Sequence, residues 1–203
     1  MPQSFIETVT PDGLRIDHLL MTQEQPRGLL ILLPGWGYTC DYPVLYYLRK
    51  AARTLDYNVL SVRYSFQVAP QVGDKQELTP EALAAEVDQA VRQALKPDYA
   101  HVVIAGKSLG TPLAVRYAAQ AERLILLTPI GTSVEDSGAT KPTLAVIGTD
   151  DPVYQPELVE AAGANVQWLV LDQLNHGLEM PGDWAASLDA LRQITQTCAD
   201  FLP

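Results

Sequence analysis

The chain has 203 residues, 47% of them hydrophobic and only 19% charged, a balance that supplies a large apolar core and excludes a disordered polymer. Asp and Glu outnumber Lys and Arg by 24 to 14, and the net charge of −10 repels nucleic acid and anionic lipid, so neither is expected as a partner. No apolar run reaches the length of a membrane span, and Met1-Pro2-Gln3-Ser4-Phe5 lacks the basic and apolar regions of a signal peptide; a cytoplasmic single domain acting on a small molecule is expected, its oligomeric state left open.

Residues 4–9 and 14–20 flank Thr10-Pro11-Asp12-Gly13 and predict an antiparallel hairpin. Residues 29–33 form an unbroken apolar run, the mark of a strand buried on both faces, and end at Pro34-Gly35-Trp36-Gly37. A helix is expected over 41–55, a strand over 57–62, and a second helix over 79–95 with Thr79 as its cap and Pro80 in its first turn. Residues 101–105 predict the next buried strand, and a third helix begins near Leu109. Further strands fall over 124–127, 143–147 and 166–171. Between the first two of these, 131–142 reads as a polar loop too short to hold a helical cap. The final helix, 183–201, places Trp184, Leu188, Leu191, Ile194 and Cys198 on one stripe expected to lie on the sheet. Strands alternating with helices predict the α/β class: a mostly parallel sheet with helices on both faces and an antiparallel hairpin at its edge. Cys40 and Cys198 have no CxxC or metal spacing and read as structural or free thiols in a reducing compartment.

Gly106-Lys107-Ser108-Leu109-Gly110 places G-x-S-x-G at the junction of a strand and a helix. So tight a turn strains the serine backbone and leaves no room for side chains two residues to either side. Ser108 is therefore the candidate nucleophile, and the Leu109 amide, at a helix start, the candidate donor to an oxyanion. Lys107 reads as a solvent-facing side chain, with attraction of an anionic substrate as the alternative. A serine hydroxyl needs a base, and of His18, His101 and His176 only His176 falls on a loop at the carboxyl edge. The carboxylate to orient it is Asp150 or Asp151, in Gly148-Thr149-Asp150-Asp151-Pro152, which gives the chain order Ser, Asp, His. Trp36, between two glycines, is the candidate for a second backbone donor. Tyr38, Tyr42, Tyr64, Phe66 and Tyr154 fall with Trp36 on predicted carboxyl-edge loops. Of these, Tyr38, Tyr64, Phe66 and Tyr154 are the candidates to line an apolar substrate pocket.

With these motifs the chain resembles the α/β-hydrolase superfamily over nearly its whole length, above all its short members similar to dienelactone hydrolases and small carboxylesterases. The resemblance implies an α/β-hydrolase fold with no cap domain and an open site. It also selects Asp151 over Asp150, because such relatives carry the acid at the fourth residue of G-x-x-D-P. Two departures stand out: Pro34-Gly35 where many relatives have His-Gly, and Ser108 where dienelactone hydrolases use cysteine. The implied activity is hydrolysis of a small ester or thioester through a Ser108–His176–Asp151 triad and an acyl-enzyme, with no metal or organic cofactor required. A rival from another class is a binding or regulatory protein that keeps the triad without turnover. A dinucleotide enzyme is a weaker rival, because Cys40 replaces the third glycine of that fingerprint and Arg63 stands where an acidic residue is needed.

Overall fold

In the computed structural model, which describes residues 3–10, 13–69, 80–138 and 140–203, the apolar run becomes β3 (Gly28–Leu33), buried at all six positions. Its side chains leave alternately: Leu29, Ile31 and Leu33 enter one core cluster, Leu30 and Leu32 the other. A strand that buries both faces belongs inside a sheet with helices above and below. The sheet runs β1 (Gln3–Val9), β2 (Arg15–Met21), β4 (Tyr57–Ser61), β3, β5 (His101–Lys107), β6 (Arg123–Leu127), β7 (Thr143–Gly148) and β8 (Val166–Leu171). The hairpin forms as expected, from Gln3 opposite Met21 to Val9 opposite Arg15. β2 also meets β4 antiparallel, and every pairing from β4 to β8 is parallel. Pro11 and Asp12 of the expected turn, and Thr79, the expected cap, lie outside the described residues.

From β3 the chain steps one way to β4, then crosses back past β3 to β5 and continues to β8. Right-handed crossovers therefore put α1 (Pro43–Thr54) on one face and α3 (Pro80–Ala94), α4 (Gly110–Arg116) and α5 (Ser133–Gly138) on the other. α1 packs Val44, Leu45 and Leu48 against Leu30 and Leu32, while α3 and α4 bring Leu83, Val87, Val91 and Leu113 to the opposite side. The reversal of direction falls between β3 and β5, whose adjacent carboxyl ends are the place where ligand sites form in such sheets.

The structure differs from the sequence expectations in the small elements. Residues 131–142 are not all loop, because α5 occupies Ser133–Gly138 and buries Val134. Two further short helices, α2 (Ser65–Val68) and α6 (Pro156–Glu160), are too brief to show a helical period. The expected stripe on α7 (Trp184–Asp200) is buried only in part: Ile194 and Cys198 are enclosed, whereas Trp184 is 77% exposed and Leu188 56%. Packing on the shared core begins only at Ala190 and Leu191, so the first turns of α7 stand clear of the sheet. No helix among the described residues is long and apolar enough to cross a membrane.

Candidate active site

β5 carries Ser108 to the carboxyl edge, where its φ of 49° turns the chain sharply into α4. The Ser108 amide donates to the Leu127 carbonyl at 2.9 Å, and its own carbonyl accepts from the Thr111 amide at 2.8 Å and the Thr111 hydroxyl at 2.7 Å. The flanking glycines meet the expected need. A Cβ on Gly106 would collide with the Gly110 carbonyl, and one on Gly110 with the Leu33 carbonyl. Gly35, in the loop after β3, approaches less closely, since a Cβ there would lie 3.2 Å from the Lys107 carbonyl and 3.4 Å from the Ser108 Cβ. Trp36 follows Gly35 in that loop, and Leu109 follows Ser108 at the head of α4.

His176 and Asp151 converge on Ser108 from the loops after β8 and β7. His176 Nε2 lies 2.8 Å from Ser108 Oγ, and its Nδ1 lies 2.9 and 2.8 Å from the two Asp151 carboxylate oxygens. The Asp151 side chain is fully buried, whereas Asp150 points to solvent. Asp151 Oδ1 also accepts from the Val153 amide at 3.0 Å, which fixes the carboxylate. A carboxylate only accepts, so Nδ1 carries the ring proton and Nε2 presents its lone pair to the serine hydroxyl. Asn175 shapes the histidine loop by accepting from the Gly177 and Glu179 amides at 2.8 and 3.2 Å. The other two histidines lie elsewhere. His18 is buried between the Thr8 hydroxyl and the Arg63 amide, and His101 pairs with Glu122 at 2.7 Å.

Lys107 is the largest departure from expectation, for it is 1% exposed rather than solvated. Its Nζ donates to Thr128 Oγ1 at 2.6 Å and to the His176 carbonyl at 2.7 Å, and lies 4.9 Å from the centre of the Tyr38 ring. No carboxylate among the described residues is within ion-pair distance of it. Burial pushes its pKa down from 10.5 to about 8, against the opposing pull of the Asp151 charge. The signal was in the sequence: Lys107 has the parity of Val103 and Ala105 on the same buried strand.

The expected aromatic lining divides. Trp36 stacks on Phe66 with centroids 5.0 Å apart, and both remain partly exposed beside the site. Tyr64 is fully buried beneath Phe66 with its hydroxyl on the Pro34 carbonyl at 3.2 Å, so it braces the loop and has no surface for a substrate. Tyr38 packs over Lys107, and its hydroxyl accepts from the Val44 amide at 3.0 Å. Tyr154 lies apart from this group and lines a cavity of about 220 Å³ with Pro129, Ile147, Pro152 and Trp168.

No protein-family model matches the chain, and no curated protein matches it. Solved structures do. An α/β serine hydrolase without a lid from Xanthomonas campestris aligns at 18% identity over 99% of this chain and 95% of the other, with a TM-score of 0.67. An α/β serine hydrolase homologue from Coxiella burnetii aligns at 17% over 98% and 97%, with a TM-score of 0.69. Est1E from Butyrivibrio proteoclasticus, also solved with ferulic acid bound, aligns at 13% over 97% and 96%, with a TM-score of 0.72. At these identities the likeness is one of fold.

Proposed function

We propose that this chain, which has the α/β-hydrolase fold without a cap, is a serine hydrolase that cleaves a small carboxylic ester or thioester through an acyl-enzyme. The reading rests on one observation above the others: an unbroken hydrogen-bond path from Ser108 Oγ through both nitrogens of His176 to the buried carboxylate of Asp151.

Ser108 Oγ attacks the substrate carbonyl carbon while His176 Nε2 takes the hydroxyl proton, and Asp151 stabilises the imidazolium. The carbonyl oxygen becomes an oxyanion held by the Trp36 and Leu109 amides. His176 then gives its proton to the departing alcohol or thiol, leaving an ester on Ser108. Water enters, loses a proton to His176 and attacks that ester, which releases the acid and restores the serine. The partly exposed Trp36–Phe66 pair offers a flat apolar wall, and ferulic acid, bound by Est1E, has the flat ring such a wall would suit.

The test is intact-protein mass after fluorophosphonate treatment, alongside p-nitrophenyl acetate turnover. One adduct per wild-type chain is expected, with none on Ser108→Ala and slow labelling of His176→Ala. Turnover should fall about 10⁴-fold or more in Ser108→Ala. A folded wild type that takes no label would overturn the hydrolase reading and leave a binding or regulatory protein.

A further inference from the structure

Away from Ser108, a cavity of about 380 Å³ opens between the end of β4, the start of α1 and α2, with Arg49 and Arg63 both in its wall. In a chain of net charge −10 this is an unusual neighbourhood. Arg49 is 5% exposed. One of its terminal nitrogens donates to Asp41 at 2.9 Å and the other to Ser61 at 3.3 Å, while Nε is buried with no partner among the described residues. An orphaned donor on a buried guanidinium is a standing penalty, and it leaves the Arg49 charge balanced only through its terminal nitrogens.

Arg63 adds a second guanidinium, and among the described residues no carboxylate lies within ion-pair distance of it. Its neighbour His18 adds no charge of its own. Burial, and then the Arg63 charge, push that imidazole down to about 4, so it stays neutral. Asp41 balances one arginine, so the described residues of the wall keep a net positive charge, and Thr39 and Ser61 add hydroxyls to it. Two guanidinium groups and two hydroxyls around one partly open cavity are the chemistry that receives a carboxylate or a phosphate. The volume leaves room for a small organic body behind the anionic group.

We propose that this cavity is an anion-binding site for a small molecule bearing a carboxylate or phosphate, held by Arg49 and Arg63. Its wall also reaches the candidate active site. Gln67, part of the lining, donates to the Gly35 carbonyl at 2.9 Å, in the loop that carries Trp36. The site does not depend on the chemistry at Ser108, so it can be tested on full-length Ser108→Ala protein.

The experiment is isothermal titration with inorganic phosphate and, separately, with succinate, at fixed pH and ionic strength set by chloride. Saturable one-site binding of at least one of the two is expected; which one binds identifies the anionic group. Arg63→Gln, a change at an exposed side chain, should weaken it about tenfold or more. Arg92→Gln, the same charge change at a residue 80% exposed on α3 over the other face, should leave it unchanged. Absence of saturable heat with both anions, or equal affinity in the wild type and Arg63→Gln, would overturn the proposal.

Discussion

At the scale of single residues, Lys107 and Ser108 are neighbours with opposite histories. The role proposed for Ser108 follows from a pattern of residue types, because only glycine fits at 106 and 110. The setting of Lys107 was hidden because a lysine is normally solvated. Enclosed with two neutral acceptors and an aromatic face, its ammonium opposes folding, yet it ties the strand before the nucleophile to the carbonyl of His176. Its pKa of about 8 lies below the unfolded 10.5, so between those values the unfolded chain holds more protons, and the opposition fades as pH rises from 8 to 10.5. Lys107→Met removes the buried charge at similar volume. It should keep Tm within about 3 °C of wild type or above it. It should also lower kcat toward p-nitrophenyl acetate about 10- to 100-fold with little change in KM, because the imidazole loses its tether. A fall in Tm with unchanged kcat would mean that Lys107 serves packing alone.

At the scale of elements, backbone strain gathers where strands end. Of the five described non-glycine residues with positive φ, Ser108, Thr128 and Gln173 lie just beyond β5, β6 and β8, Leu178 closes the His176 loop, and Asp56 lies just before β4. Such conformations persist where the surroundings over-determine them, as the Lys107 hydrogen bond does for Thr128. The elbow shows how little slack exists. Gly110→Ala would drive a methyl into the Leu33 carbonyl, backbone that cannot swing away, and should destabilise by about 3 kcal/mol. Thermal unfolding should show this as a loss of about 6–12 °C in Tm, whereas Gly37→Ala, which meets nothing within 4 Å, should change little. Long elements were legible for the converse reason: a 15-residue α3 repeats its apolar face several times, whereas the five residues of α6 complete little more than one turn.

At the scale of the molecule, two core clusters on opposite faces of one sheet hold every loop that meets at Ser108. The hairpin edge contributes through His18, which stays neutral and bridges Thr8 to the chain after β4. With a folded pKa of about 4 against 6.5, His18 lets the unfolded chain bind more protons in that window. Stability therefore drops as pH falls from about 6.5 to 4. His18→Gln has no such proton to gain. Its Tm should vary less than that of wild type across that window; an identical slope would assign the acid lability to other groups.

The sequence by itself determined the α/β class, the edge hairpin, the long helices and the candidates Ser108, His176 and the Asp150–Asp151 pair, from which the family resemblance singled out Asp151, because periodicity, turn chemistry and motif spacing are local properties of a chain. Only tertiary structure decided which side chains the loops bring together. Residues 68 and 25 positions from His176 reach its two nitrogens, Lys107 loses its water, Tyr64 turns inward, and Arg49 and Arg63 come to share one cavity. Distance along the chain carries no information about such meetings; they follow from strand order and from the reversal of direction at β3, where crossovers on both faces aim their loops at one edge.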